Sequence, residues 1–122
     1  MSYIGYEDLK VYKLSRRLAI ELHKLSLEWP KTEQFGGIAD QLRRSSRSVC
    51  ANIAEGLSKN MSVADKVKFI QIALGSAEES RVWLDFCGEF GYLQSMQVAQ
   101  YRLDYQEVSR MLYALQQSMR KK

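Results

Sequence analysis

Proline occurs once in the 122 residues, at Pro30, and glycine only 7 times. Collagen-like and low-complexity classes are thereby excluded. Long apolar runs are missing too. Lys, Arg, Glu or Asp cuts every window before the roughly 18–20 residues that a transmembrane helix needs. The opening stretch, Met1-Ser2-Tyr3-Ile4-Gly5-Tyr6-Glu7-Asp8, has neither a basic flank nor an apolar h-region, so no secretory signal and no membrane partner are expected. Alternating Val/Ile/Thr runs suited to strands are absent. Two isolated cysteines, Cys50 and Cys87, and a single histidine, His23, cannot make a standard zinc site. No metal or cofactor is expected, and two free thiols fit a cytoplasmic setting.

What is present reads as one folded domain spanning residues 1–122. Hydrophobic residues make up 46% and charged residues 26%, ordinary values for a globular chain. The net charge of +4 permits an anionic partner without demanding one. Helical periodicity is broken around Trp29-Pro30-Lys31-Thr32 and Gly36-Gly37, at Gly56 with Ser58-Lys59-Asn60, and at Gly88 and Gly91-Tyr92-Leu93. Four helical segments remain, at about 7–28, 37–58, 62–90 and 95–120. Ser62-Val63-Ala64-Asp65 reads as an N-cap with an acid in the first turn. The first segment spaces Val11, Leu14, Leu18, Leu22, Leu25 and Trp29 at three or four residues. The fourth carries Val98, Tyr101, Tyr105, Val108, Leu112, Leu115 and Met119, an unbroken a/d seam. Four amphipathic helices with short connections predict an all-α fold, an antiparallel up-down-up-down four-helix bundle.

The third segment is too apolar for one buried face. Val67, Ile70, Leu74, Ala77 and Leu84 form one stripe. Phe69, Ala73, Ser76, Ser80, Trp83, Cys87 and Phe90 form a second, and Ile72 and Phe86 a third with Glu79 between them. Together they span about 260° of the helix, against the roughly 100° that a surface helix needs. Ile72, Phe86, Phe69 and Trp83 are therefore candidates for an interface between copies, the alternative being cover by loops or chain ends.

Catalytic signatures are absent: no G-x-S-x-G, Walker A, G-x-G-x-x-G, C-x-x-C or H-E-x-x-H occurs. His23 has no positioned acid or nucleophile, so no enzyme activity and no catalytic residues are expected. The cations are clustered. Lys10, Lys13 and Arg17 repeat at i, i+3, i+7 with Arg16 adjacent, and Arg43, Arg44 and Arg47 lie in a window free of acids. Arg120-Lys121-Lys122 adds a basic tail. Two readings stay open: a footprint for RNA or DNA phosphates, or a solvated face with Arg–carboxylate pairs inside the bundle. Asn52, Glu55 and Glu79 sit near apolar stripes, with Glu55 close to Arg44 on a helical wheel. An acid/base pair is one reading; a salt bridge that fixes helix register or subunit orientation is the favoured one.

The run Asp40-Gln41-Leu42-Arg43-Arg44-Ser45-Ser46-Arg47-Ser48-Val49-Cys50-Ala51-Asn52-Ile53-Ala54-Glu55-Gly56 resembles the Q-(I/L)-R-R-(A/S) … S-(I/V)-x-x-N-I-A-E-G signature of the 23S rRNA-intervening sequence proteins. Tyr6-Glu7-Asp8-Leu9-Lys10-Val11 is similar to the family's F-E-D-L-x-V start. Pro30, Glu33 and Phe35-Gly36 resemble its P-x-x-E-x-(F/Y)-G-L turn, and Ala73-Leu74-Gly75-Ser76-Ala77-Glu78-Glu79 its A-x-G-S-x-x-E motif. Gly37 stands where the family usually has Leu, and Tyr6 where it usually has Phe. The resemblance implies an antiparallel bundle that assembles into a ring, commonly a pentamer. Accessory proteins of diversity-generating retroelements look alike, which implies nucleic acid and a reverse transcriptase as candidate partners. Arg43, Arg44 and Arg47 would then be the phosphate contacts. The opposing expectation is a structural or protein-interaction module with no nucleic-acid role.

Overall fold

The computed structural model describes residues 5–58 and 60–121. Met1–Ile4, Lys59 and Lys122 of the basic tail lie outside the described residues. Four helices carry the fold: α1 Lys10–Ser26, α2 Ile38–Gly56, α3 Val63–Glu89 and α4 Ser95–Arg120. Single 3-10 turns, Tyr6–Asp8 and Lys31–Glu33, precede α1 and α2, and no strand occurs among the described residues. The chain is all-α, and its four helices enclose one core.

Helix α1 begins at Lys10 rather than near residue 7. Leu9 is extended (φ −74°, ψ 136°), which separates the Tyr6–Asp8 turn from the helix. Leu27 to Trp29 still turn, but Pro30 (ψ 148°) cannot supply the N–H that would continue the helix. The cap expected at Ser62 is present: its Oγ accepts the Asp65 N–H at 3.1 Å. Asn60 takes the left-handed conformation (φ 68°) in the α2–α3 connection. At the start of α4 the Gln94 N–H donates to Gln97 Oε1 at 2.9 Å, a role that the sequence pattern does not single out.

Each helix packs on two others, α1 and α3 both against α2 and α4, with the largest interfaces made by α3. The periodic residues meet inside. Leu18 and Leu22 from α1, Leu42, Val49 and Ile53 from α2, Ile70 and Leu84 from α3, and Tyr105, Val108 and Leu112 from α4 are all fully buried. Two serine pairs cross the α2–α3 interface, Ser45 to Ser80 and Ser48 to Ser76, both at 2.8 Å. On the other side Tyr101 donates to Glu21 at 3.1 Å, and Arg17 approaches Asp104 at 3.6 Å. Partner numbers fall as residue numbers rise in both sets.

Gly56, the last residue of α2, lets α3 come close. A Cβ there would lie 2.8 Å from Ile70 Cδ1 and 3.2 Å from the Lys66 carbonyl. Two loops are fastened to each other at one end of the molecule. Trp29 stacks on Tyr92 with ring centroids 5.6 Å apart, and the Tyr92 hydroxyl donates to Glu33 Oε2 at 2.7 Å. The other oxygen of Glu33 accepts the Ile38 N–H at the start of α2 (3.0 Å).

Candidate interaction faces

The described residues contain no group of three His, Cys, Asp or Glu arranged to hold a metal. The surface offers two other features, and they lie on different helices.

The first is a groove along α1. Two shallow concavities, of ≈ 560 Å³ and ≈ 440 Å³, share Tyr12, Arg16 and Ile20. Tyr12, Arg16, Ile20 and Lys24 are four residues apart, so they form one row along the helix. Ala19 and His23 complete the α1 side of the second concavity, and α2 supplies Arg47 and Cys50. Its lining holds three fixed cations and no carboxylate. Among the described residues neither Arg16 nor Lys24 has an ion-pair partner, and the Arg47 Nε donates only to the Arg43 carbonyl at 3.1 Å. Burial pushes the Cys50 thiol up to about 11 despite the opposing field of Arg16. The thiol is therefore protonated at neutral pH, the reverse of what a cysteine nucleophile needs. His23 shares the concavity without a hydrogen bond to it. Desolvation also raises Tyr12 above its ordinary value.

The six cations singled out from sequence part company here. Lys10 and Lys13 are exposed, and no ion pair engages them among the described residues. Arg17 is held by Glu21 at 2.9 Å and faces Asp104. Arg44 pairs with Asp40 at 3.1 Å, one turn earlier on the same helix. Arg43 turns inward: its fork donates to Ser26 Oγ at 2.7 Å, to Gln34 Oε1 at 3.0 Å and to the Gln34 carbonyl at 3.2 Å. It binds the end of α1 and the α1–α2 loop to α2, with both terminal nitrogens engaged there rather than offered to a phosphate. Arg47 remains exposed and lines the groove. Sequence reading underweighted Arg16 and passed over Lys24, although the row at intervals of four was there to find. What it lacked was α2 alongside.

The second feature is the outward side of α3. Ile72, Gly75, Glu79, Val82, Phe86 and Glu89 follow three-and-four spacing, which is a heptad seam with nothing packed on it in the single chain. Ile72 is 42% exposed, Val82 50% and Phe86 43%. Phe69 and Trp83 are half-buried instead, and Trp83 lies against the core. The Trp83 indole N–H donates to Glu79 at 3.0 Å. Trp83, Phe86 and Phe90 form a run of rings with centroids 6.3 and 5.9 Å apart. Asn52 is structural: its amide donates to the Ser48 carbonyl and Oγ, which links it to the Ser48–Ser76 pair. Glu55 is exposed and, like Glu79, makes no ion pair among the described residues, so the salt bridge expected of these carboxylates is not made within the chain, and Arg44 pairs with Asp40 instead.

The comparisons agree with this architecture. The 23S rRNA-intervening sequence protein family matches residues 7–114. Among solved structures, a protein of unknown function from the S23 ribosomal protein family of Bacteroides thetaiotaomicron superposes with a TM-score of 0.78. It is 25% identical, and the match covers 88% of this chain and 95% of that one. No curated protein matches the chain. With four helices around one core and a match running over most of its length, the chain belongs to the 23S rRNA-intervening sequence protein family.

Proposed function

We propose that this chain is a non-enzymatic cytoplasmic module that works as an assembly of its own copies, an antiparallel up-down-up-down four-helix bundle closing into a ring. The observation that carries the reading is the exposed seam on α3, where Ile72, Val82 and Phe86 face water in the single chain. Full burial of such side chains contributes about 1.5–3 kcal/mol each, and half of that is left when they are already half covered. Three residues together thus supply a few kcal/mol for association. The falling partner numbers across α2–α3 and α1–α4 support the antiparallel arrangement. The protonated thiol and unpaired histidine of the groove support a non-enzymatic role. Light scattering tests the assembly. The wild type is expected at a multiple of 14.1 kDa, and Ile72→Glu with Phe86→Glu at 14.1 kDa. A wild type that stays at 14.1 kDa at millimolar concentration refutes the reading.

Binding of RNA or DNA is the second reading, favoured by the unpaired Lys10, Lys13, Arg16, Lys24 and Arg47 along α1 and α2. Phosphate contacts release counterions, so affinity for a single-stranded RNA should fall linearly with salt on logarithmic axes. Arg16→Ala with Arg47→Ala should flatten that slope by about 1.4, at about 0.7 for each phosphate contact on a single strand. No binding at low salt ends this reading.

A further inference from the structure

We infer that the α3 seam of one copy seats in the α1–α2 groove of the next, a pairing that rests on the self-association proposed above. The two faces look away from each other. Both α1 and α3 pack against α2 and α4, so their outward sides lie on opposite flanks of the molecule. Their charges are opposite as well. On α3, Glu78 is engaged by Arg81 and Asp85 by Arg102, while Glu79 and Glu89 have no cation partner among the described residues; the single unpaired cation of this side among them, Lys68, lies a turn before Ile72 at the far end of the seam. On α1, Arg16 and Lys24 have no anion partner among them either. The two pairs have similar reach: Glu79 to Glu89 spans ~15 Å of helix and Arg16 to Lys24 ~12 Å.

Shape follows the same division. The seam is convex, with Ile72, Val82 and Phe86 as its ridge. At Gly75 a Cβ would meet nothing within 4 Å, so another backbone can approach there closely. The part of the groove that takes the seam is the second concavity, with Tyr12, Ala19 and Ile20 as its floor and Arg16, Lys24 and Arg47 as its cations; the carboxylates Glu7 and Glu21 line only the first, where Arg17 holds Glu21. Pairing like with like fails on charge. Seam against seam brings the unpaired Glu79 and Glu89 of two copies together, and groove against groove brings six cations together. Only the unlike pairing desolvates apolar surface on both sides and neutralises both sets of charges. An interface of this kind is heterologous: each copy offers a free seam and a free groove, and growth ends only when the chain of copies closes on itself.

A charge-exchange experiment tests the pairing. One variant carries Arg16→Glu and Lys24→Glu, the other Glu79→Lys and Glu89→Lys. All four sites are exposed, and thermal melts followed by circular dichroism establish that each variant is folded. Alone, each variant presents like charges on both faces, and its dissociation constant should rise at least about tenfold over wild type by light scattering. Mixed in equal amounts, they present complementary faces again and should recover assemblies containing both chains. Cys50, on the groove floor, gives an independent reading. Its alkylation by iodoacetamide should be slower in the wild-type assembly than in the Glu79→Lys, Glu89→Lys variant, whose groove is unaltered, with buried Cys87 as internal reference. Wild-type mass in either variant alone, or a mixture that stays at single-chain mass, overturns the pairing while leaving self-association standing. A groove variant that keeps wild-type mass but loses RNA binding overturns it too and assigns the groove to nucleic acid. A wild type found only as single chains removes the pairing together with the reading beneath it.

Discussion

Replacing Arg43 by alanine separates the structural role seen here from the phosphate contact that its motif suggests. The guanidinium makes three hydrogen bonds, to Ser26 Oγ, Gln34 Oε1 and the Gln34 carbonyl. A hydrogen bond from a charged donor contributes about 1.5–3 kcal/mol net when buried. The site is half-buried, so about 1 kcal/mol per bond is appropriate, or roughly 2–3 kcal/mol for the side chain. Ser26 is fully buried and its Oγ donates to the His23 carbonyl, so the alanine variant also strips a buried oxygen of its only donor. At this chain length the loss corresponds to a fall in Tm of roughly 10 °C. Arg43→Lys should recover less than half, because an ammonium cannot bridge Ser26 and Gln34 as a fork does. Urea unfolding followed by circular dichroism measures both variants. A loss under ~0.5 kcal/mol in Arg43→Ala, accompanied by weaker RNA binding, would refute the assignment.

Glu33 makes the fold sensitive to acid. Its carboxyl is held below the ordinary value, first by the Ile38 N–H and then by the Tyr92 hydroxyl. A depressed folded-state pKa adds stability that is complete above the unfolded value and is lost as pH falls through the folded one. Asp40, lowered by the Gly36 N–H and by Arg44, acts in the same direction. The urea midpoint should therefore drop below about pH 4.5, and Glu33→Gln should flatten that drop; an unchanged acid limb in the variant contradicts the role. Gly56→Ala should cost about 1–2 kcal/mol, since its Cβ would press on Ile70 and the Lys66 carbonyl, and an unchanged urea midpoint would show that α3 gives way. Tyr105 is fully buried with its hydroxyl beside Ser80 but unpartnered, so Tyr105→Phe should leave stability within ~0.5 kcal/mol or raise it. A loss above ~1.5 kcal/mol would show that the hydroxyl does hydrogen-bond, with Ser80 as the nearest partner.

The sequence pattern makes the helices legible because their signals are local. Three-and-four spacing buries Tyr105, Val108 and Leu112, and a serine three residues before an acid caps α3. The start of α1 was not legible, since Tyr6-Glu7-Asp8 looks like a helix N-terminus whether the turn closes at i+3 or i+4. Arg43 was misread for a different reason. A helical wheel places it on the rim of the core, but its acceptors come from the end of α1, 17 residues away, and from the loop that follows, and only tertiary structure brings Ser26 beneath it. The wheel also misled for Glu55. It shares an angle with Arg44, yet eleven residues of helix separate them by ~16 Å, whereas Asp40 is a single turn from Arg44. The excess of apolar surface on α3 was legible as excess. Its division into a core side and an outward seam was not, because that depends on where α2 and α4 dock.

The two proposed uses of the cations bear on each other. A single chain with a net charge of +4 is a weak ligand for a polyanion, and several of its arginines are already paired. Association changes this without any new residue. Seating a seam in each groove neutralises Arg16 and Lys24 with Glu79 and Glu89, which hides charges of both signs in equal number and leaves the net charge of each copy where it was. Lys10 lines neither concavity and Lys13 only the first, clear of Lys24 and Arg47, and both recur once per copy. An assembly of n copies therefore presents 4n net positive charges on one rigid body, and each phosphate contact after the first becomes intramolecular. A mildly basic chain thus has the means to hold nucleic acid only as an oligomer. RNA affinity should then fall sharply in Ile72→Ser with Phe86→Ser, which weakens assembly at unchanged net charge, even though neither Lys10 nor Lys13 has been touched.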